Sequence, residues 1–125
     1  MPDRVAKPKL KEYVLSERIT GPDGEPLRVK MGPVQQKEND DLIDRFTDEY
    51  GLLDASRYGA ELAALCIREP KVGSAELCSA YGVTTGGEVL RVMLTSGEFL
   101  RLATTVRDVC GLNDDFGDLV EESKN

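Results

Sequence analysis

The chain has three cysteines and no histidine, and those two facts bound its chemistry first. Cys66, Cys78 and Cys110 are scattered, form no CxxC pair, and each falls inside an apolar helical pattern. A structural zinc site takes four Cys or His ligands at short spacings, so this set offers poor ligands. The reading is three buried free thiols. Without histidine there is no Ser-His-Asp triad, no Cys-His pair and no histidine general base. Adjacent carboxylates recur at Asp40-Asp41, Asp114-Asp115 and Glu121-Glu122. They are sequence neighbours on solvent-facing stretches, whereas a glycosidase pair is held across a cleft. Asp114, Asp115 and Asp118 lack the ligand ladder and closing Glu of a calcium loop. Thr84-Thr85-Gly86-Gly87 lacks the Lys-Ser/Thr of a P-loop and follows no strand. The chain reads as a non-enzyme, with no metal and no cofactor.

One stretch points toward DNA. Ser74 to Leu94 has the outline of a helix-turn-helix, with Ala75, Leu77, Tyr81, Gly82 and Val83 before a second helix. The N-terminal end of that second helix must contact bases and phosphates. Here it offers Thr84, Thr85, Gly86, Gly87 and Glu88, and no basic residue stands between Lys71 and Arg91. A structural helical hairpin fits better.

Charge argues the same way. Residues 1–30 hold seven Lys/Arg against five Asp/Glu, and the remaining 95 hold nine against eighteen, for a net charge of −7. An acidic body repels phosphate backbones, so nucleic acid is not the expected partner. No segment approaches the roughly 18 to 20 apolar residues that span a bilayer, so no membrane role is expected. The N-terminus has basic residues but no apolar run of a secretory signal, which places the chain in the cytoplasm.

The elements that must carry these residues follow from periodicity. Residues 1–11 read as a flexible basic lead, and residues 12–125 as a single domain. Tyr13, Leu15 and Ile19 alternate with Val14, Ser16 and Arg18, and Leu27, Val29 and Met31 alternate with Arg28 and Lys30. Period two marks half-buried strands, here a hairpin over 12–32 turning at Gly21 to Pro26, with Gly24 at positive φ. Over 35–125 the period becomes helical. Leu42, Ile43, Phe46 and Tyr50 share one face of a helix ended by Gly51. Asp54 caps a second helix running toward Pro70, with Tyr58, Leu62, Leu65 and Cys66 inward. A third starts at Ser74 with Leu77 and Tyr81 inward, and Val89, Leu90, Met93 and Leu94 stripe a fourth. Phe99, Leu102, Ala103, Val106 and Cys110 make the fifth stripe. Beyond a turn at Gly111-Leu112-Asn113, Phe116, Leu119 and Val120 make the last. The fold class is therefore mainly α: a compact helical domain of about five to six short helices with an N-terminal β-hairpin.

From about Tyr13 onward the chain resembles the XkdN-type tail assembly chaperones of long-tailed phages and PBSX-like prophages. The features that carry the resemblance come in family order: the Asp23-Gly24-x-Pro26 turn between strands, an acidic helix, and a helix bounded by Pro70. AELCSAYGV (Ala75 to Val83), VLRVMLTSGEFLRL (Val89 to Leu102) and DDFGDLVEESKN (Asp114 to Asn125) follow. The stretch IREPKVGS, Ile67 to Ser74, departs from the pattern. The resemblance implies a non-enzymatic helper that coats the tape measure protein in the bacterial host cytoplasm, is displaced as the tail tube polymerises, and is absent from the mature virion. Several copies along one rod would imply a homo-oligomer. The Lys124-Asn125 ending could be encoded by a slippery A-rich run, so a frameshift-extended form of the same chain is a further expected partner; the nucleotide sequence tests this.

Two other classes stay open: a structural or adaptor tail protein retained in the virion, and a helix-turn-helix DNA-binding regulator. Candidate partner-binding residues are Leu112, Phe116, Leu119 and Val120 on the last stripe and Tyr13, Leu15, Val29 and Met31 on the hairpin. Core packing is the competing role for each.

Overall fold

A computed structural model of the protein describes residues 9–111. The alternating stretches form β1 (Lys11–Thr20) and β2 (Pro26–Met31), paired antiparallel. Their turn closes through Gly24 N–H to Gly21 O at 3.0 Å, with Gly24 at φ 79° as its missing Cβ allows. The pairing is irregular at two places, Val14/Ser16 and Ser16/Thr20. The register shifts between Val14 and Ser16, and this bulge turns both Leu15 and Ser16 inward. Ser16, expected on the outer face, is 2% exposed.

The helices are α1 (Gln36–Phe46), α2 (Ala55–Cys66), α3 (Ala75–Tyr81), α4 (Gly86–Met93) and α5 (Ser96–Val109). Asp54 and Ser74 cap α2 and α3, accepting from Arg57 N and Leu77 N at 3.2 Å. The second helix does not run to Pro70. It stops at Cys66, and Ile67–Glu69 forms β3, antiparallel to β2 with Met31 opposite Ile67. A residue before proline is driven out of the α region, and Ile67, buried in the core, gains more on a sheet face than on a fraying helix end. Among the described residues the architecture is thus five helices on a three-stranded sheet ordered β1-β2-β3, a mix of helix and sheet where a hairpin alone was expected.

Two helical stripes also need correcting. Tyr50 does not continue α1: the helix ends at Phe46, and Tyr50 is 81% exposed. Tyr81 and Ala103 likewise lie exposed, while Cys78 takes the inward place on α3. The core lies between the inner face of the sheet and α2, α4 and α5. Leu15, Val29 and Met31 from the strands meet Ala63 and Cys66 of α2, Leu90 of α4, and Leu102 and Val106 of α5.

Candidate partner-binding surface

The surface is built on a short loop between α1 and α2. Asp48 organises it: Oδ1 accepts from Tyr50 N at 2.8 Å and from Leu52 N at 2.9 Å. Gly51 supplies the left-handed residue at φ 81°, and Thr47 bridges Leu53 across the loop. Asp54 N–H returns to Phe46 O at 2.8 Å. Every bond of this loop therefore fixes backbone, and none shelters its large side chains. Tyr50, Leu52 and Leu53 stand exposed on a rigid turn, an arrangement that presents apolar surface at low entropic cost.

Next to the loop lies a hollow of about 300 Å³ between α1, α2 and α4, with Phe46 and Ala60 against Arg45, Arg57 and Arg91. A second hollow, sharing Arg91, runs on to Leu94, Phe99 and Leu100, the last 69% exposed. Three arginines from three helices thus converge in an acidic protein. Arg45 lies over the Phe46 ring, 5.7 Å from its centroid, and Arg57 pairs with Asp54 at 3.6 Å. Among the described residues Arg45 and Arg91 are in no ion pair. The carboxylates beside them are held locally. Glu88 accepts from Thr84 and Thr85, bonds that keep its carboxyl below the usual range.

Glu61 closes the far wall. Its Oε1 accepts from Gly87 N at 3.1 Å and its Oε2 from the Thr85 hydroxyl at 2.5 Å. The Thr84-Thr85-Gly86-Gly87 run is therefore a docking point for α2, and Gly86 and Gly87 are buried at the start of α4. The N-terminal end that a helix-turn-helix would offer to DNA is here turned onto the protein's own acid.

A second acid with internal partners is Glu98, buried at 5% exposure in the first turn of α5. Its carboxylate accepts from the Ser16 hydroxyl, from Thr95 N at 2.9 Å and from the Arg18 guanidinium at 2.9 Å. Those donors favour the anion and hold the carboxyl down to about 2, Ser16 contributing most. Its work is to pin β1 onto α5. Sequence reasoning passed over Glu98, although Thr95-x-x-Glu98 spells a capping box.

The expected partner-binding residues divide. Leu112, Phe116, Leu119 and Val120 lie outside the described residues. Leu15, Val29 and Met31 are buried at 7%, 1% and 1%, so their exposure is corrected: the period-two face of the hairpin is covered by α2 and α5. Tyr13 is half-buried against the same cluster. The exposed set that sequence reasoning missed is Tyr50, Leu52 and Leu53. Three large apolar residues around Gly51 were its signal.

Cys66 and Cys110 approach to 3.7 Å between sulfurs, and all three cysteines are free. Among the described residues no cluster of His, Cys, Asp or Glu could hold a metal ion.

A family model described as phage XkdN-like tail assembly chaperone protein matches residues 1–124. A search of curated proteins finds no match. The crystal structure of a protein named yqbn superposes with a TM-score of 0.76 at 24% identity, covering 89% of this chain and 92% of that one. At that identity the likeness extends to the fold.

Proposed function

The chain belongs to the XkdN-like phage tail assembly chaperones, and from that premise we propose that it binds the tape measure protein and keeps it soluble, without catalysing a reaction. The observation that carries the reading is the Asp48-organised loop, which holds Tyr50 and Leu52 at 81% and 67% exposure on a fixed backbone. A long helical rod awaiting its tube has bare apolar faces prone to aggregate. Side chains presented this way cover such faces reversibly, because little order is lost or gained on each encounter. The acidic surface keeps the loaded complex dispersed. Such work belongs in the host cytoplasm and ends before the virion is complete. No described helix is long and apolar enough to cross a membrane.

Co-expression with the phage's tape measure protein, followed by pull-down and size exclusion, tests the proposal. A soluble complex, formed where the tape measure alone precipitates, is the expected outcome. An insoluble and unbound tape measure would overturn it in favour of a tail protein retained in the virion, which mass spectrometry of purified particles would then detect.

A further inference from the structure

We propose that Cys66 and Cys110 are a redox pair, oxidised by a low-molecular-weight disulfide such as oxidised glutathione to a reversible bond that locks the α2–α5 junction. Their sulfurs lie 3.7 Å apart in the folded chain, although 44 positions separate them in sequence. Cys66 ends α2 and Cys110 caps the end of α5, so the packing of these two helices brings the thiols together. A disulfide needs the sulfurs at about 2.0 Å. Cys66 is the fixed partner: it is fully buried, and Gly32 N–H donates to its carbonyl at 2.9 Å, anchoring it beside the sheet. Cys110 is the movable one. It is half-buried, and its N–H donates to Val106 O at 3.0 Å in the last turn of α5, where a helix yields most easily.

The two sulfurs take different parts. Cys110 is the one a molecule in solution reaches. As its thiolate it attacks one sulfur of the small disulfide, forming a mixed disulfide and releasing one small thiolate. Cys66, deprotonated in turn, attacks the Cys110 sulfur and displaces the second. Two protein thiols lose two protons and two electrons; the small disulfide gains both and leaves as two thiols. Burial first, and the Cys110 thiol second, push the Cys66 thiol up to about 12, so closure is the slow step. The closed bond encloses β3, α3, α4 and α5 in one covalent loop. In a reducing cytoplasm such a bond is transient and redox-sensing rather than structural.

The test uses the folded full-length chain without any partner. The protein is incubated with excess oxidised glutathione, the glutathione is removed, and the peptides are mapped by mass without reduction. The expected product is a Cys66–Cys110 linkage within one chain, reached through a glutathione adduct on Cys110, with Cys78 left as a free thiol. The melting temperature should rise by at least about 5 °C, because the loop restricts the unfolded chain, and dithiothreitol should return it to the starting value. C110S, altered at the half-buried member of the pair, should show neither the bond nor the rise. C66A should stop at the Cys110 adduct, with its melting curve showing that it is folded; C110S carries the test by itself where C66A is not. Three free thiols in the treated wild type, or an adduct on Cys110 that persists once glutathione is gone, would overturn the proposal. So would a linkage to Cys78, a linkage that leaves the melting curve unchanged, or an equal rise in C110S. Loss of tape measure binding would leave these results untouched, so the two readings fail separately.

Discussion

The Arg18 guanidinium donates to Glu98 Oε1 at 2.9 Å, joining residues 80 positions apart in the chain. The same arm also donates to Met93 O at 2.8 Å, so the end of β1 is tied to both sides of the α4–α5 junction. The bulge at Leu15 places Ser16 beneath the same carboxylate. One acid thus fastens the sheet to the helix that carries Leu100.

Stability should therefore follow the charge of Glu98. Its carboxyl is held down to about 2 from an ordinary 4.5. A depressed acid contributes fully above the unfolded value and loses that contribution as pH falls through the folded one. Thermal unfolding should stay level from neutral pH to about 4.5 on this account and then fall toward pH 2. In E98Q the melting temperature should be lower at pH 7, and its decline between 4.5 and 2 should be shallower than in the wild type. An unchanged pH profile in E98Q would show that other carboxylates carry the acid response.

A methyl group at Gly87 should damage the contact between α2 and α4. A Cβ there would lie 2.5 Å from Glu61 Oε2 and 2.8 Å from Glu61 N, and the backbone nitrogen cannot rotate away. G87A should cost about 1–3 kcal/mol in denaturant unfolding, the range for overpacking a closed interface. G97A, with nothing within 4 Å of its added carbon, serves as the matched control and should leave stability unchanged or raise it slightly.

The thiols should differ in reactivity despite their proximity. Burial, then the neighbouring Cys110, pushes the Cys66 thiol up to about 12. Against an ordinary value of 9.0 this makes its thiolate much scarcer at neutral pH. Iodoacetamide should modify Cys110 in the folded protein and reach Cys66 only after denaturation, as peptide mass mapping would show. Rapid native labelling of Cys66 would mean that the α2–α5 junction opens readily.

What the sequence made legible depended on the range of the signal. Alternation in β2, the turn at Gly24, the cap at Asp54 and the helix start at Ser74 are local patterns, and each formed as read. β3 has three residues, too short for any period, and exists through its pairing with β2. Tyr50 carried a correct helical spacing from Phe46, but Asp48 bonds to the loop backbone and ends the pattern between them. Ser16 looked like an outward residue because a bulge leaves no mark in composition. Glu61 and Glu98 drew no reading, since donors such as Gly87 N and the Ser16 hydroxyl sit 26 and 82 positions away. The candidate surface was hidden for the same reason: Tyr50 was read onto an inward helical face, Leu52 and Leu53 drew no reading, and the hairpin residues were weighed between core and partner contact.

The exposure of that loop gives the sharpest functional test, because core and surface apolar residues should separate cleanly. Leu90 is fully buried between α2 and the sheet, and L90A should cost about 2–5 kcal/mol through lost burial and a residual cavity. Tyr50 and Leu52 point to solvent, so Y50A/L52A should shift stability by no more than about 0.5 kcal/mol per site. If the loop is the tape measure contact, the same double variant should bind the tape measure at least about tenfold more weakly, since aromatic and aliphatic anchors dominate such surfaces. D48A should give a smaller version of this loss: the side chains remain, but the turn that presents them loses the two bonds made by the Asp48 carboxylate. Binding titrations of the three loop and core variants, each with its melting curve, distinguish the causes. A Y50A/L52A protein that folds and binds like the wild type would move the contact off this loop, whatever the family does.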